Sequence, residues 1–393
     1  MDEEKIEALI SDGDSADPNE SVEVNAELKR LRSIGYVDYS PEPTTANRSG
    51  VNKFDPARSY PGYNLYTIRA LCRTELIDAQ GHVVHFWQHP EGGGWVRSVL
   101  LENGDLLVVG AKLPERYILR LHWNNKVLWK RRLPVHHDVR IMPDGRFATL
   151  GMRNRLIPDI HPGAVVRDDY VVIFSEESDD LEAHSLHDML ASRPELYTFE
   201  NVELRGNLVD LVHANSLRWM TNRDLEKRDP LYSIGNIIVC MRHQNAVAVF
   251  DLHRASLVWA WGHGELQGPH DASVLENGNF LIFDNGVQRG WSRVIEVDPL
   301  RRQVVWTYSA AEPKDFYTAA RGAAQRLPNG NTLITESNKG RGFEVSPEGE
   351  IVWDYSVPHV NDSGRRTTII RLYRYERDLV ERLMTLHDSE NVE

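Results

Sequence analysis

Three histidines stand in register in this sequence. His137 and His270 each lie eight residues before the glycine of a tight-turn signal, Gly145 and Gly278. His213 opens the matching segment of the unit between them, Val212-His213-Ala214-Asn215-Ser216. The chain holds 16 histidines, so one such placement means little, but three in successive units form a pattern. The same position holds Val96 and Gly322 in two other units. Imidazoles gathered in one small polar cavity can act as nucleophile, as general acid and base, or as metal ligands. Arginines recur nearby. Arg242 directly follows an apolar strand, Arg289 and Arg293 follow Asp284-Asn285-Gly286, and Arg321 lies beside Gly322. A guanidinium fork suits a tetrahedral oxyanion such as sulfate or phosphate. His136 is expected to point the other way along its strand, and His82, His85, His89, His184 and His187 read as structural.

The elements that must position these groups are short strands. Asn103-Gly104, Asp144-Gly145, Asn277-Gly278 and Asn329-Gly330 are hairpin-turn signals, each followed by an apolar run such as Phe280-Leu281-Ile282-Phe283. A second repeat ends in tryptophan: Val127-Leu128-Trp129, Leu257-Val258-Trp259, Val304-Val305-Trp306 and Ile351-Val352-Trp353. One unit therefore reads as four antiparallel strands in about 40–45 residues, the size of a propeller blade. Units start near Gly62, Gly94, Val135, Val212, Pro269 and Ala320. The expected fold is all-β: a six-bladed β-propeller with an N-terminal extension and a short C-terminal helix. The alternating run Thr368 to Tyr375 is expected to close the ring, which removes free sheet edges. A pair of stacked β-sandwiches is the rival arrangement, and it leaves the phased repeat unexplained. First strands of the blades line a propeller's channel, so the three histidines would converge on the axis.

Boundaries follow from composition. Residues 1–58 read as an arm, disordered at its acidic start, with a short helix from Val22 to Ile34. The arm is expected to pack on the main body or on a neighbouring subunit, giving a homo-oligomer. Residues 59–376 read as the propeller, with a polar insertion from Ser175 to Arg205 that is helical around His184 to Ala191. Residues 377–393 read as a C-terminal helix and tail, amphipathic from Glu376 to Leu386. With 393 residues, 41% of them hydrophobic, the chain can bury a large core. A formal net charge of −13 argues against a general nucleic-acid binder. No apolar run is long enough for a membrane-spanning helix. Met1 is followed by Asp2-Glu3-Glu4, unlike the basic start of a signal peptide, so a cytoplasmic location is expected. Two cysteines, Cys72 and Cys240, exclude a disulfide framework. Zinc-finger, phosphate-loop and nucleophile-elbow motifs are absent.

Several segments together carry a resemblance. Asp210-Leu211-Val212-His213-Ala214-Asn215-Ser216 resembles the D-x-x-H-x-N-S segment of bacterial aryl-sulfate sulfotransferases. Val239-Cys240-Met241-Arg242-His243-Gln244-Asn245 resembles their S-x-R strand. Trp261-Gly262 with Gly268-Pro269-His270-Asp271, and Phe283-Asp284-Asn285-Gly286-Val287-Gln288-Arg289, resemble two further motifs. The resemblance runs roughly from Asp210 to Trp353. It implies a six-bladed propeller that moves a sulfo group from one phenol to another without a nucleotide donor, in ping-pong fashion. A histidine would carry the sulfo group covalently, with two more histidines and an arginine assisting. By motif these include His213, His270 and Arg289. The family's sulfo-accepting histidine falls in the last blade, where this chain reads Ala319-Ala320-Arg321-Gly322-Ala323. His137 is the best-placed substitute. The expected catalytic set is therefore His137, His213, His270 and Arg289, with Asn215, Arg242, Arg293 and Arg321 binding substrate. The expected ligands are an aryl sulfate and a phenol, with no resident cofactor; the family is often exported.

Two other readings stay open. One is a metal ion held by His137, His213 and His270, which the nearby arginines oppose. The other is a non-catalytic propeller whose top face and insertion hold a partner.

Overall fold

The computed structural model describes residues 38–41, 43, 48–89, 94–112 and 115–390. The arm helix expected over residues 22–34 lies outside the described residues. Six sheets follow one another along the chain, in the order the turn signals set, and they are antiparallel except where residues 165–167 pair parallel with Leu208–Asp210 in blade 3. In each repeated turn the glycine takes a positive φ, +90° at Gly104 and +86° at Gly145. Its N–H donates to the carbonyl three residues back, as in Gly104 to Leu101. This is a type I turn completed by a left-handed residue, the common three-residue hairpin loop.

Both faces of every sheet pack on a neighbouring blade. Middle strands can accordingly be buried throughout rather than alternating: Asn236–Met241 and Phe280–Asp284 are buried at every position. Core clusters lie between blades, with Ile238 and Val249 of blade 4 packed against Phe280 and Ile295 of blade 5. Three of the four repeated tryptophans staple blade to blade. Trp259 Nε1 donates to Pro299 O at 3.1 Å, Trp306 to Pro347 O at 3.1 Å, and Trp353 to Ala79 O at 2.8 Å. Each acceptor lies in the following blade.

Blade 1 joins the two ends of the ring. Leu372–Tyr375 is its inner strand and pairs antiparallel with Tyr63–Ile68. The arm is shorter than the sequence suggests. Gly50–Phe54 pairs with Ile351–Ser356 as a fifth, outermost strand of blade 6, so the propeller begins before residue 58. Val51 and Phe54 pack on the core there, which gives that strand its reason to dock. The insertion contributes an outer strand to blade 3, Leu181–Ser185, and then helix α1, Leu186–Ala191. Ser185 caps α1 by accepting from Asp188 N–H. Helix α2 spans Arg223–Arg228, and helix α3, Arg377–Glu390, buries Val380 and Leu383 against blades 1 and 2. Among the described residues, no helix is long and apolar enough to cross a membrane.

Candidate functional site

The inner strands are Trp95–Leu100, Val135–Ile141, Ala214–Trp219, His270–Val274, Ala323–Arg326 and Leu372–Tyr375. Several enter through a residue in left-handed backbone: φ is 60° at His137, 50° at His213, 47° at Asp271 and 62° at Arg321. Strand register shifts at the first three of these places. Each such residue costs roughly 1–3 kcal/mol, and their gathering around one axis marks a functional region. The bulge also breaks side-chain alternation. His136 therefore lines the same cavity as His137, contrary to the expectation that it points away.

One step along two of these strands, Asp138 and Asp271 stand on the axis with no exposed surface. Asp138 pairs with Arg218 at 2.7 Å, Arg97 at 3.0 Å, Arg371 at 3.1 Å and Arg140 at 3.6 Å. Asp271 pairs with Arg218 at 2.7 Å and Arg371 at 3.3 Å, and accepts from Tyr373 Oη at 2.6 Å. Ala324 N–H of blade 6 also donates to Asp271. All six blades meet in this ionic plug. Burial would raise both carboxyl pKa values, but the arginines reverse this and hold Asp138 well below the usual range and Asp271 below it.

Beside the plug is a cavity of about 300 Å³. Five histidines line it: His136, His137, His213, His243 and His270. So do seven arginines, Arg69, Arg116, Arg167, Arg205, Arg242, Arg321 and Arg371, against one carboxylate, Asp210. In a chain of net charge −13 this is a local concentration of cationic groups, although Arg69, Arg167, Arg205 and Arg371 already pair with Asp38, Asp210, Glu203 and the plug carboxylates. Burial and Arg167 lower the Arg116 pKa to about 10. A second cavity of about 590 Å³ adjoins it and shares Arg205, Asp210, Arg242 and His243. Its other walls include Glu200 to Glu203 of the insertion, Val287 and Tyr317.

The histidines are held in distinct ways. His213 Nδ1 lies 2.8 Å from Asp210 Oδ2, and its Nε2 lies 3.1 Å from His137 Nε2. His243 Nδ1 donates to Asp210 O at 2.7 Å, with its ring centre 4.5 Å from that of His213. Asn285 Nδ2 donates to Thr318 O and Arg321 O, so Asn285 Oδ1 is an acceptor. His270 Nδ1, 2.7 Å from that oxygen, therefore carries the proton, and its Nε2 accepts from Arg321 N–H at 3.2 Å. Burial, then the charges of neighbouring histidines and Arg371, push His137 well below its ordinary pKa. Burial and Arg242 do the same to His270, and burial and His213 bring His243 to about 3. Burial works to raise the Asp210 carboxyl, but His213, His243 and Arg167 hold it well below the carboxylate range.

The structure brings His137, His213, His270, Asn215, Arg242 and Arg321 to the cavity wall. Asn215 also donates to Pro269 O at 2.9 Å, tying blade 4 to blade 5. Arg242 Nη2 reaches Ala319 O at 3.5 Å, and Arg321 Nη1 donates to Thr368 Oγ1 at 2.8 Å. Arg289 and Arg293 are not there. Asp284 has no exposed surface, and the two arginines neutralise it from 2.9 Å and 2.8 Å. Arg289 Nε and Nη2 donate to the carbonyls of Trp291 and Asp284, and Arg293 Nη2 donates to Glu265 O, so both forks are engaged within blade 5 and the segment leading into it. Gly322 cannot hold the missing last-blade histidine. Its φ is +98°, and a Cβ there would lie 2.5 Å from the Phe283 ring. Among the described residues, the ligand-type atoms that gather within 4.8 Å of one another belong to Asp210, His213 and His243, not to the expected metal triplet. His243, Asp210 and the axial plug escaped the sequence reading. His243 directly follows Arg242, and Asp210 opens the His213 motif, so both lay inside stretches already singled out.

The fold matches solved structures at low identity. A protein of unknown function from Bacteroides caccae aligns with a TM-score of 0.52 at 14% identity, covering 80% of this chain and 98% of that one. A virginiamycin B lyase from Staphylococcus aureus gives 0.46 at 9%, covering 80% and 87%. The periplasmic gluconolactonase of Pseudomonas aeruginosa gives 0.43 at 13%, covering 83% and 90%. These likenesses concern the fold alone. No curated protein matches the sequence significantly. The family model for arylsulfotransferases matches residues 99–358. With well over half of its length matched in this way, the chain belongs to the arylsulfotransferase family, and its fold is a six-bladed propeller.

Proposed function

We propose that this protein moves a sulfo group from an aryl sulfate to a phenol in two half-reactions, without a nucleotide donor, through its axial histidines. The observation that carries the reading is the chain Asp210–His213–His137, with contacts of 2.8 Å and 3.1 Å, set in an arginine-walled cavity. Family membership supports sulfo transfer, and the sequence holds no glycine-rich phosphate loop for a nucleotide. Arg242 and Arg321 neutralise the sulfo oxygens, whose charge the transition state redistributes. A histidine nitrogen attacks sulfur as the S–O bond to the aryl group breaks. The leaving oxygen takes the proton held between His137 and His213, and the incoming phenol returns it. Asp210 orients His213 and balances its charge when both nitrogens are protonated.

Release of nitrophenol from 4-nitrophenyl sulfate, with and without a second phenol, tests the reading. Release should accelerate with the phenol, and His213→Ala should abolish it in folded protein. Unchanged turnover in that variant refutes the relay. A bound divalent metal at Asp210, His213 and His243 is the second reading, favoured by their close ligand atoms. Arg167, 3.3 Å from the Asp210 carboxylate, opposes it. Stoichiometric metal, with activity lost to a chelator, would decide for it.

A further inference from the structure

We infer that His243 is the residue that carries the sulfo group between the half-reactions. The inference rests on the sulfo-transfer reading and deepens it. A carrier needs a nitrogen lone pair that is not already committed. His270 fails this test, because its Nε2 accepts from the Arg321 backbone N–H. His137 and His213 face each other through Nε2 with a proton between them, which suits a relay rather than a nucleophile, and His136 turns its Nε2 to the Asp169 carboxylate at 3.1 Å. His243 differs. A carbonyl oxygen only accepts, so the 2.7 Å contact from Nδ1 to Asp210 O fixes the Nδ1–H tautomer. The lone pair is then on Nε2, which makes no hydrogen bond among the described residues.

His243 also stands in the right place. It lines both the arginine-walled cavity and the adjoining larger one. A sulfo group held in the first cavity and an aryl ring in the second would put the S–O bond at the wall they share. In the first half-reaction Nε2 attacks sulfur, the N–S bond forms, and the S–O(aryl) bond breaks. The aryl oxygen leaves with the proton from the His137–His213 pair. The carbonyl of Asp210 cannot take the Nδ1 proton, so the sulfonated ring stays cationic and remains a good leaving group. Asp210 Oδ1, 3.8 Å from Nδ1, offsets that charge. In the second half-reaction the phenol oxygen attacks sulfur, its proton returns to the His137–His213 pair, and the S–N bond breaks.

The test is a rapid-quench reaction of the full chain with 4-nitrophenyl sulfate in the absence of phenol. A stoichiometric burst of nitrophenol is expected, with the sulfo adduct mapping by mass spectrometry to the peptide that carries His243. His243→Asn should lose the burst and at least about a thousandfold in turnover. In His243→Ala, added imidazole should restore steady release by accepting the sulfo group itself. An adduct on His136, His137, His213 or His270 overturns the assignment while leaving sulfo transfer intact, as does a burst that survives in His243→Asn. A wild-type protein that gives neither burst nor adduct overturns the sulfo-transfer reading and the assignment with it. Adduct mapping uses the unaltered protein, so it decides even if a variant fails to fold.

Discussion

Replacing Asp138 by Asn should destabilise the whole ring. Asp138 is fully buried and touches arginines of blades 1, 2, 3 and 4. Asparagine keeps the volume and removes the charge. One pair near 4 Å is worth about 4 kcal/mol at an effective dielectric of 20. Adding such values over the contacts overstates the loss, because the four guanidinium groups repel and the carboxylate's desolvation is recovered. Breaking a buried pair costs about 3–5 kcal/mol in practice, and that is the expected change at pH 7. Against a stability of about 5–15 kcal/mol it is large. Urea unfolding of the wild type and the variant reads it as a shifted midpoint. The effect has a pH signature. The folded carboxyl pKa lies well below its unfolded value of about 3.9. Its contribution is therefore fully present above about pH 5 and lost as pH falls below 4, so the gap between wild type and variant narrows there. A difference under about 1 kcal/mol at pH 7, or a gap that stays constant down to pH 2, would refute the electrostatic account of the plug.

Other positions give sharper contrasts between structure and chemistry. Arg289→Met should cost about 1.5–3 kcal/mol through Asp284 and leave the KM for aryl sulfate within about twofold; a large KM effect with unchanged stability would return Arg289 to the site. Gly322→His should not restore a last-blade histidine: strain and overpacking against Phe283 should cost about 2–5 kcal/mol with no gain in turnover, read by unfolding and the nitrophenol assay. Burial lowers the His85 pKa to about 4, against about 6.5 when unfolded. A depressed histidine contributes stability that is present above the unfolded value and lost as pH falls toward the folded one, here on the order of 2–3 kcal/mol between pH 6.5 and 4. His85 stacks on Trp123 and Trp123 on His387 of α3, so limited proteolysis should release α3 at pH 4 before the blades open. Equal resistance at pH 7 and pH 4 would show that this stack does not hold the helix.

The blades were legible because each repeats local chemistry. A glycine that must take positive φ, strands buried on both faces and a tryptophan that reaches the next blade leave the same marks in one blade after another. The register that brought His137, His213 and His270 to one cavity was legible for the same reason. What escaped the sequence depends on partners far along the chain. Arg289 has the look of an anion binder until Asp284 is seen buried beside it. His136 follows alternation on paper, but the left-handed residue at His137 breaks alternation at that point. Asp138 and Arg371 are 233 positions apart, and only closure of the ring makes them partners.

That closure also explains why the axis is filled with charge. An apolar plug of equal volume would be as stable or more so, since desolvating the ions offsets much of their attraction. The ionic plug does something an apolar one cannot. Two carboxylates face four guanidinium groups, so the plug leaves positive charge beside the histidines. Asp138 and Asp271 directly follow His137 and His270 in the chain, so the groups that lock the blades together also fix the backbone of two cavity histidines. Arg371 grips both carboxylates and donates to Asn215 O from the strand that is made last. The arginine-walled cavity is therefore complete only when the ring has closed, so its geometry depends on the same contacts that hold the blades together.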